Sequence, residues 1–114
     1  MNQTSTDLAN RRVERRRRPR TGVRVTCLKG VLGLGTNLAV AVLDASETGI
    51  RILARAPLEK GQEIEISVVG PGRGRPHVHA ADVVWCVPAA DNNYCVGAHF
   101  HERLSYANLH DICV

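Results

Sequence analysis

Aromatic side chains are scarce in this 114-residue chain, which has one Trp, two Tyr and one Phe. That supply is too small for the successive stacking platforms on which single-stranded nucleic acid is held. No CxxC spacing joins the four cysteines, Cys27, Cys86, Cys95 and Cys113, so neither a zinc knuckle nor a dithiol redox motif is indicated. Buried reduced thiols are the simpler expectation, although a turn centred between Ala90 and Asp91 places Cys86 opposite Cys95. No apolar run approaches the roughly 20 residues that a membrane-spanning helix needs. Met1 to Asn10 is polar and lacks the apolar stretch of a secretory signal, so a cytoplasmic location is expected. No phosphate-binding loop, no recognisable Ser/His/Asp context and no internal repeat is present, and an enzyme is therefore not expected.

Lysine is absent between residues 11 and 24, where eight Arg and one Glu contribute +7 to a net charge of +4. The remainder of the chain is therefore acidic by three charges, and basicity belongs to one segment. An arginine segment suggests an anionic partner, against the plainer reading of a solvated charge run that binds polyanions loosely. Arginine alone combines a fork that bonds phosphate oxygens in pairs, a plane that stacks on a base, and donors matched to guanine O6 and N7.

After residue 14, where a disordered tail over 1–14 gives way to one domain over 15–114, the periodicity is that of strands. Val23, Val25 and Cys27 alternate with Arg24, Thr26 and Leu28. Leu38 to Leu43 is an apolar run of the length of a buried strand, and Ile50 to Leu53 resumes the pattern. Ile64, Ile66 and Val68 alternate with Glu63, Glu65 and Ser67, the sign of a half-buried antiparallel strand. Two further strands, 79–87 and 94–100, flank a loop at 88–93, and residues 69–76 form a hairpin loop. Leu104, Ala107, Leu109 and Ile112 recur near helical spacing and predict a short helix from about Ser105. An all-β core with exposed strand edges is best satisfied by closure into a small antiparallel barrel.

Two motifs stand against this background. Arg16 and Arg20 satisfy RxxxR, with Pro19 just before the second arginine; Arg12 with Arg16 and Arg11 with Arg15 satisfy the same spacing. About two dozen residues later, Asp44-Ala45-Ser46-Glu47-Thr48-Gly49 reads DxSxxG. An Asx turn without a ligand is the plain reading of the second motif. In this order and spacing, followed by a Trp85 strand and the stretch Val96-Gly97-Ala98-His99-Phe100, the chain resembles the PilZ domain, a bacterial receptor family for cyclic di-GMP. The resemblance implies a six-stranded antiparallel barrel with a basic N-terminal arm that folds over the nucleotide.

It also implies a ligand site at Arg16, Arg20, Asp44, Ser46 and Gly49, with Arg15 and Arg17 as helpers and with Trp85 and Gly97 alongside. In such a site Asp44 accepts from guanine N1 and N2, Ser46 offers a hydroxyl, and Gly49 supplies positive φ or close approach of the ligand to the backbone. Trp85 is otherwise a core residue. His77 with His79, and His99 with His101, form two HxH pairs that share a strand face; a metal site needs further ligands, and none is expected. No cofactor is expected beyond the nucleotide, and the expected partner is an unidentified effector protein. The competing functions are a PilZ-like interaction module without nucleotide binding and, weakest, a nucleic-acid binder using the basic segment.

Overall fold

The computed structural model describes residues 16–30, 32–72 and 75–114; the expected tail over 1–14 and Arg15 lie outside the described residues. Six strands follow one another: β1 (Arg24–Lys29), β2 (Ala39–Ala45), β3 (Gly49–Ala54), β4 (Glu63–Val69), β5 (His77–Pro88) and β6 (Tyr94–Phe100), with a helix α1 (Tyr106–Ile112) after them. They form one sheet in the order β1-β4-β5-β6-β3-β2, every pair antiparallel. The sheet curls until β1 meets β2, giving a nearly closed barrel.

The closing seam has little ladder of its own. Leu38 N donates to Cys27 O at 2.8 Å, and the Asn37 side-chain oxygen accepts from both Cys27 N and Ala39 N at 2.9 Å. One side-chain amide thus satisfies two strand N–H groups that would otherwise be left without partners.

Alternation fills the barrel. Ile64, Ile66 and Val68 from β4, Ile50 and Ile52 from β3, and Val96, Ala98 and Phe100 from β6 all point inward and are buried. Leu109 and Ile112 of α1 join the same core. Ser105 caps the helix, its hydroxyl accepting from Asn108 N at 3.1 Å, which meets one of the donors a helix start leaves open. No helix among the described residues is long and apolar enough to cross a membrane.

Three sequence expectations change. The run Leu38 to Leu43 is not a buried strand: Val40 and Leu43 are exposed, because β2 lies at the seam and carries two register shifts. Asp44 does not start a turn, since β2 continues to Ala45 and only residues 46–49 reverse the chain. Cys86 does not face Cys95. Cys86 pairs with Val96 and Cys95 with Val87, a register one residue away from the expected one, and such a slip turns the two side chains to opposite faces. All four cysteines are free. The cause is the turn at residues 89–93, where Asp91 and Asn92 both take left-handed backbone, φ 60° and 61°, and Ala89 N bonds Asn93 O. Asp and Asn tolerate that region better than most residues.

Candidate ligand site on the outer face of the barrel

The β2–β3 hairpin sets the site. Ser46 N donates to Gly49 O at 2.9 Å, closing a tight turn over Glu47 and Thr48. The Ser46 hydroxyl accepts from Thr48 N and Gly49 N, each at 3.3 Å, and the residue is buried. Ser46 therefore holds the turn. The turn's own carbonyls are engaged too: Glu47 O accepts from Leu104 N, and Thr48 O accepts from Phe100 N.

From this turn, pairing places Asp44 opposite Arg51. Arg51 in turn pairs with Gly97, and Gly97 with Trp85. Directly opposed residues share a face, so Asp44, Arg51, Gly97 and Trp85 form one row across β2, β3, β6 and β5 on the outside of the barrel. A register shift between Val83 and Trp85 brings Trp85 to this row and away from the core.

The row is tightly fitted. A Cβ on Gly97 would lie 2.3 Å from Trp85 Cε2 and 2.5 Å from its Nε1, so the indole covers the glycine. A Cβ on Gly49 would lie 2.7 Å from Ala98 O and 3.9 Å from Arg16 Nη2. Gly49 is not among the positive-φ glycines; of the two roles expected of it, positive φ is absent, and the close approach seen is that of the β6 backbone.

The charges converge at Asp44, itself only 8% exposed. Its Oδ1 accepts from Arg16 Nη1 at 3.1 Å, and its Oδ2 accepts from Arg51 Nε at 2.8 Å and also from Arg51 Nη2. The hydrogen bond to Asp44 raises the Arg51 pKa further and keeps this guanidinium charged. Arg16 and Arg51 each leave about two fifths of the side chain exposed, 43% and 41%. Both can therefore reach a ligand.

The arginine segment lies against the barrel. Arg17 N donates to Ala45 O at 2.8 Å and Ala45 N to Arg17 O at 3.1 Å, a short antiparallel bridge that continues β2. Arg17 directs its guanidinium towards the Tyr106 ring, 6.0 Å from the centroid. Arg20 is directed elsewhere again: its Nε donates to His110 O at 2.6 Å and its Nη2 meets the His110 ring. The two arginines of RxxxR are thus divided, Arg16 to Asp44 and Arg20 to α1.

Arg51 is the residue that reading the sequence missed. The signal was available, since a two-residue turn at Glu47-Thr48 puts Asp44 and Arg51 opposite each other. Of the HxH pairs, His77 Nδ1 contacts His79 Nε2 at 2.7 Å inside the barrel end. His101 instead pairs with Asp82 and Glu63 on the surface, at 2.9 and 3.7 Å.

The PilZ domain family model matches residues 14–112. The chain belongs to the PilZ domain family. Comparison with curated proteins and with solved structures returned no match. PilZ is a family of cyclic di-GMP receptors. In this PilZ domain the arginine motif and the DxSxxG motif meet at one carboxylate, with the segment 16–20 docked between β2 and α1.

Proposed function

We propose that this PilZ domain is a cyclic di-GMP receptor that takes the nucleotide on the Asp44–Arg51–Gly97–Trp85 row, under Arg16. The observation that carries the reading is the Arg16–Asp44 ion pair. Residues 28 positions apart in sequence bring a cation suited to phosphate and a carboxylate suited to guanine together, in the row that ends at the Trp85 indole. The row spans three inter-strand spacings, about 14 Å, enough for a ligand with separated bases and phosphates.

The chemistry follows from donor and acceptor numbers. A carboxylate has about four lone-pair sites, and Asp44 uses three, one for Arg16 and two for Arg51. Guanine offers two parallel donors, N1–H and N2–H. It needs two acceptor sites, so one arginine bond must give way. Arg16, held by a single bond, is the one released, and its fork then turns to a phosphate oxygen pair. Arg51 remains on Oδ2 and keeps the carboxylate oriented. The Trp85 indole offers a face or edge to a base, while Ser46 acts by holding the turn. Turning of Arg16 changes the conformation of the arginine arm and the surface it presents to an effector protein, and this passes on the signal.

Titration calorimetry tests the reading: cyclic di-GMP should bind, while GMP, GTP and cyclic di-AMP should bind far more weakly. Equal affinity for cyclic di-AMP would defeat the guanine-reading part. Equal competition by a random DNA duplex would favour a charge-driven nucleic-acid binder instead.

A further inference from the structure

We infer that the segment Ile112–Val114 is the edge that holds the arginine segment in register over Asp44, which makes Cys113 and Val114 positioning residues for the ligand. The inference rests on the reading of Asp44 and Arg16 as ligand-binding groups, and it adds what places Arg16 there.

The last residue of α1 and the two after it run alongside the arginine segment and bond it repeatedly. Arg20 N donates to Ile112 O at 2.8 Å, and Val114 N donates to Arg18 O at 3.0 Å. Pro19 and Cys113 form an antiparallel bridge. The Cys113 thiol donates to Arg17 O at 3.4 Å, the same oxygen that accepts from Ala45 N. On its other side the segment is bridged to Ala45, and its Arg16 side chain bonds Asp44. The arginine segment thus lies between β2 and the 112–114 edge, bridged once to each, and Arg20 adds a side-chain clasp on His110.

The edge is itself rigidly placed. Leu109, Ile112 and Cys113 are buried, Ile112 and Cys113 completely, so packing of α1 into the barrel fixes where the edge lies. Burial pushes the Cys113 thiol up to about 11, so it remains a protonated donor at neutral pH. The chain of cause runs from core packing of α1, through the edge, to the backbone of Arg17, and so to the side chain one residue earlier that bonds Asp44. A contact that merely stabilised the fold would change melting without selectively changing affinity. A positioning contact changes affinity and the protection of the segment.

Val114→Pro is the direct test. It removes the N–H that bonds Arg18 O and leaves a side chain that is 72% exposed in the native protein. Cys113, at φ −126° and ψ 155°, already has the extended backbone that a following proline requires. Val114→Ala, which keeps the N–H, is the control.

Two readouts are taken on the full chain. Cyclic di-GMP affinity should fall about threefold to tenfold in Val114→Pro, the worth of one net hydrogen bond, while Val114→Ala matches wild type. Trypsin cleavage after Arg16, Arg17 and Arg20, followed by mass spectrometry without ligand, should be faster in Val114→Pro. Cys113→Ala should behave like Val114→Pro, and Cys113→Ser, which restores a donor, should recover toward wild type.

Unchanged affinity in a folded Val114→Pro protein, with or without faster cleavage, overturns the positioning role. If wild type itself does not bind cyclic di-GMP, the receptor reading fails, and the cleavage comparison alone decides whether the edge holds the segment. Should Val114→Pro not fold, the Cys113→Ala and Cys113→Ser pair carries the same decision.

Discussion

Replacing Asp44 by alanine sets two physical effects against each other with opposite signs. The substitution removes a negative charge beside Arg16 and Arg51. A phosphate about 6 Å away would be bound more tightly by roughly 0.7 kcal/mol if the surroundings behave like water. Against this, the ligand loses an acceptor for guanine N1–H and N2–H, and Arg51 loses the carboxylate that orients it. Bonds to charged groups are worth about 1.5–3 kcal/mol each. Because Arg51 is about two fifths exposed, solvent screening reduces what its pair with Asp44 contributes, and the low end applies to each lost bond. A net loss of about 2 kcal/mol is expected, roughly a 30-fold weaker affinity for cyclic di-GMP. The assay is titration calorimetry at two salt concentrations, with circular dichroism to confirm folding. In an Asp44→Ala by Arg51→Ala cycle the two losses should be less than additive, since Arg51 acts partly through the carboxylate. Tighter or unchanged binding by folded Asp44→Ala would refute the role of the carboxylate.

Three further outcomes are expected. Gly49→Ala puts a methyl 2.7 Å from Ala98 O, a clash with backbone that cannot swing aside, and should cost about 1–3 kcal/mol in urea unfolding; an unchanged midpoint would show that β6 yields freely. Gly97→Ala, with its Cβ 2.3 Å from the Trp85 ring, should push the indole outward, red-shift Trp85 emission and weaken any ligand that rests on it; identical emission and affinity would remove Trp85 from the site. Burial lowers the pKa of His77 and, together with the neighbouring His77, that of His79. Their neutral forms therefore favour folding, with stability fully present above the unfolded value of about 6.5 and lost as pH falls below it. His101 acts in the opposite sense, because its hydrogen bond to Asp82 raises its pKa and its contribution is lost as pH rises above that raised value. In a His101→Gln background the urea midpoint should therefore fall more steeply between pH 6.5 and 5 than in wild type, and a flat profile would contradict the assignment.

The barrel was legible because β3, β4 and β6 bury alternate residues, a period that strand geometry imposes and that no turn chemistry can hide. The motif positions were legible for the same reason that their order mattered: Asp44 and Arg16 act through type and spacing. What the sequence concealed was register. The left-handed pair Asp91 and Asn92 moved Cys95 away from Cys86, and the shift between Val83 and Trp85 brought Trp85 to the outer face. Both depend on one-residue irregularities that composition does not announce. The division of the arginines was also beyond reach, because Arg20 finds its partner on α1, 90 residues away in sequence.

The hydrogen bond from the Cys113 thiol to Arg17 O, beside the Pro19–Cys113 bridge, carries a consequence for how the molecule comes into being. Its contacts join positions 96 residues apart, and the turn at Glu47 and Thr48 is tied to Leu104 and Phe100. Each such closure incurs chain entropy before it returns any contact energy, which makes folding of this topology slow compared with helical domains of equal size. During synthesis, Arg16 and Asp44 leave the ribosome long before the residues that hold them in place. A nascent chain that stops short of residues 112–114 has both motifs and lacks the edge that holds the arginine segment against Ala45.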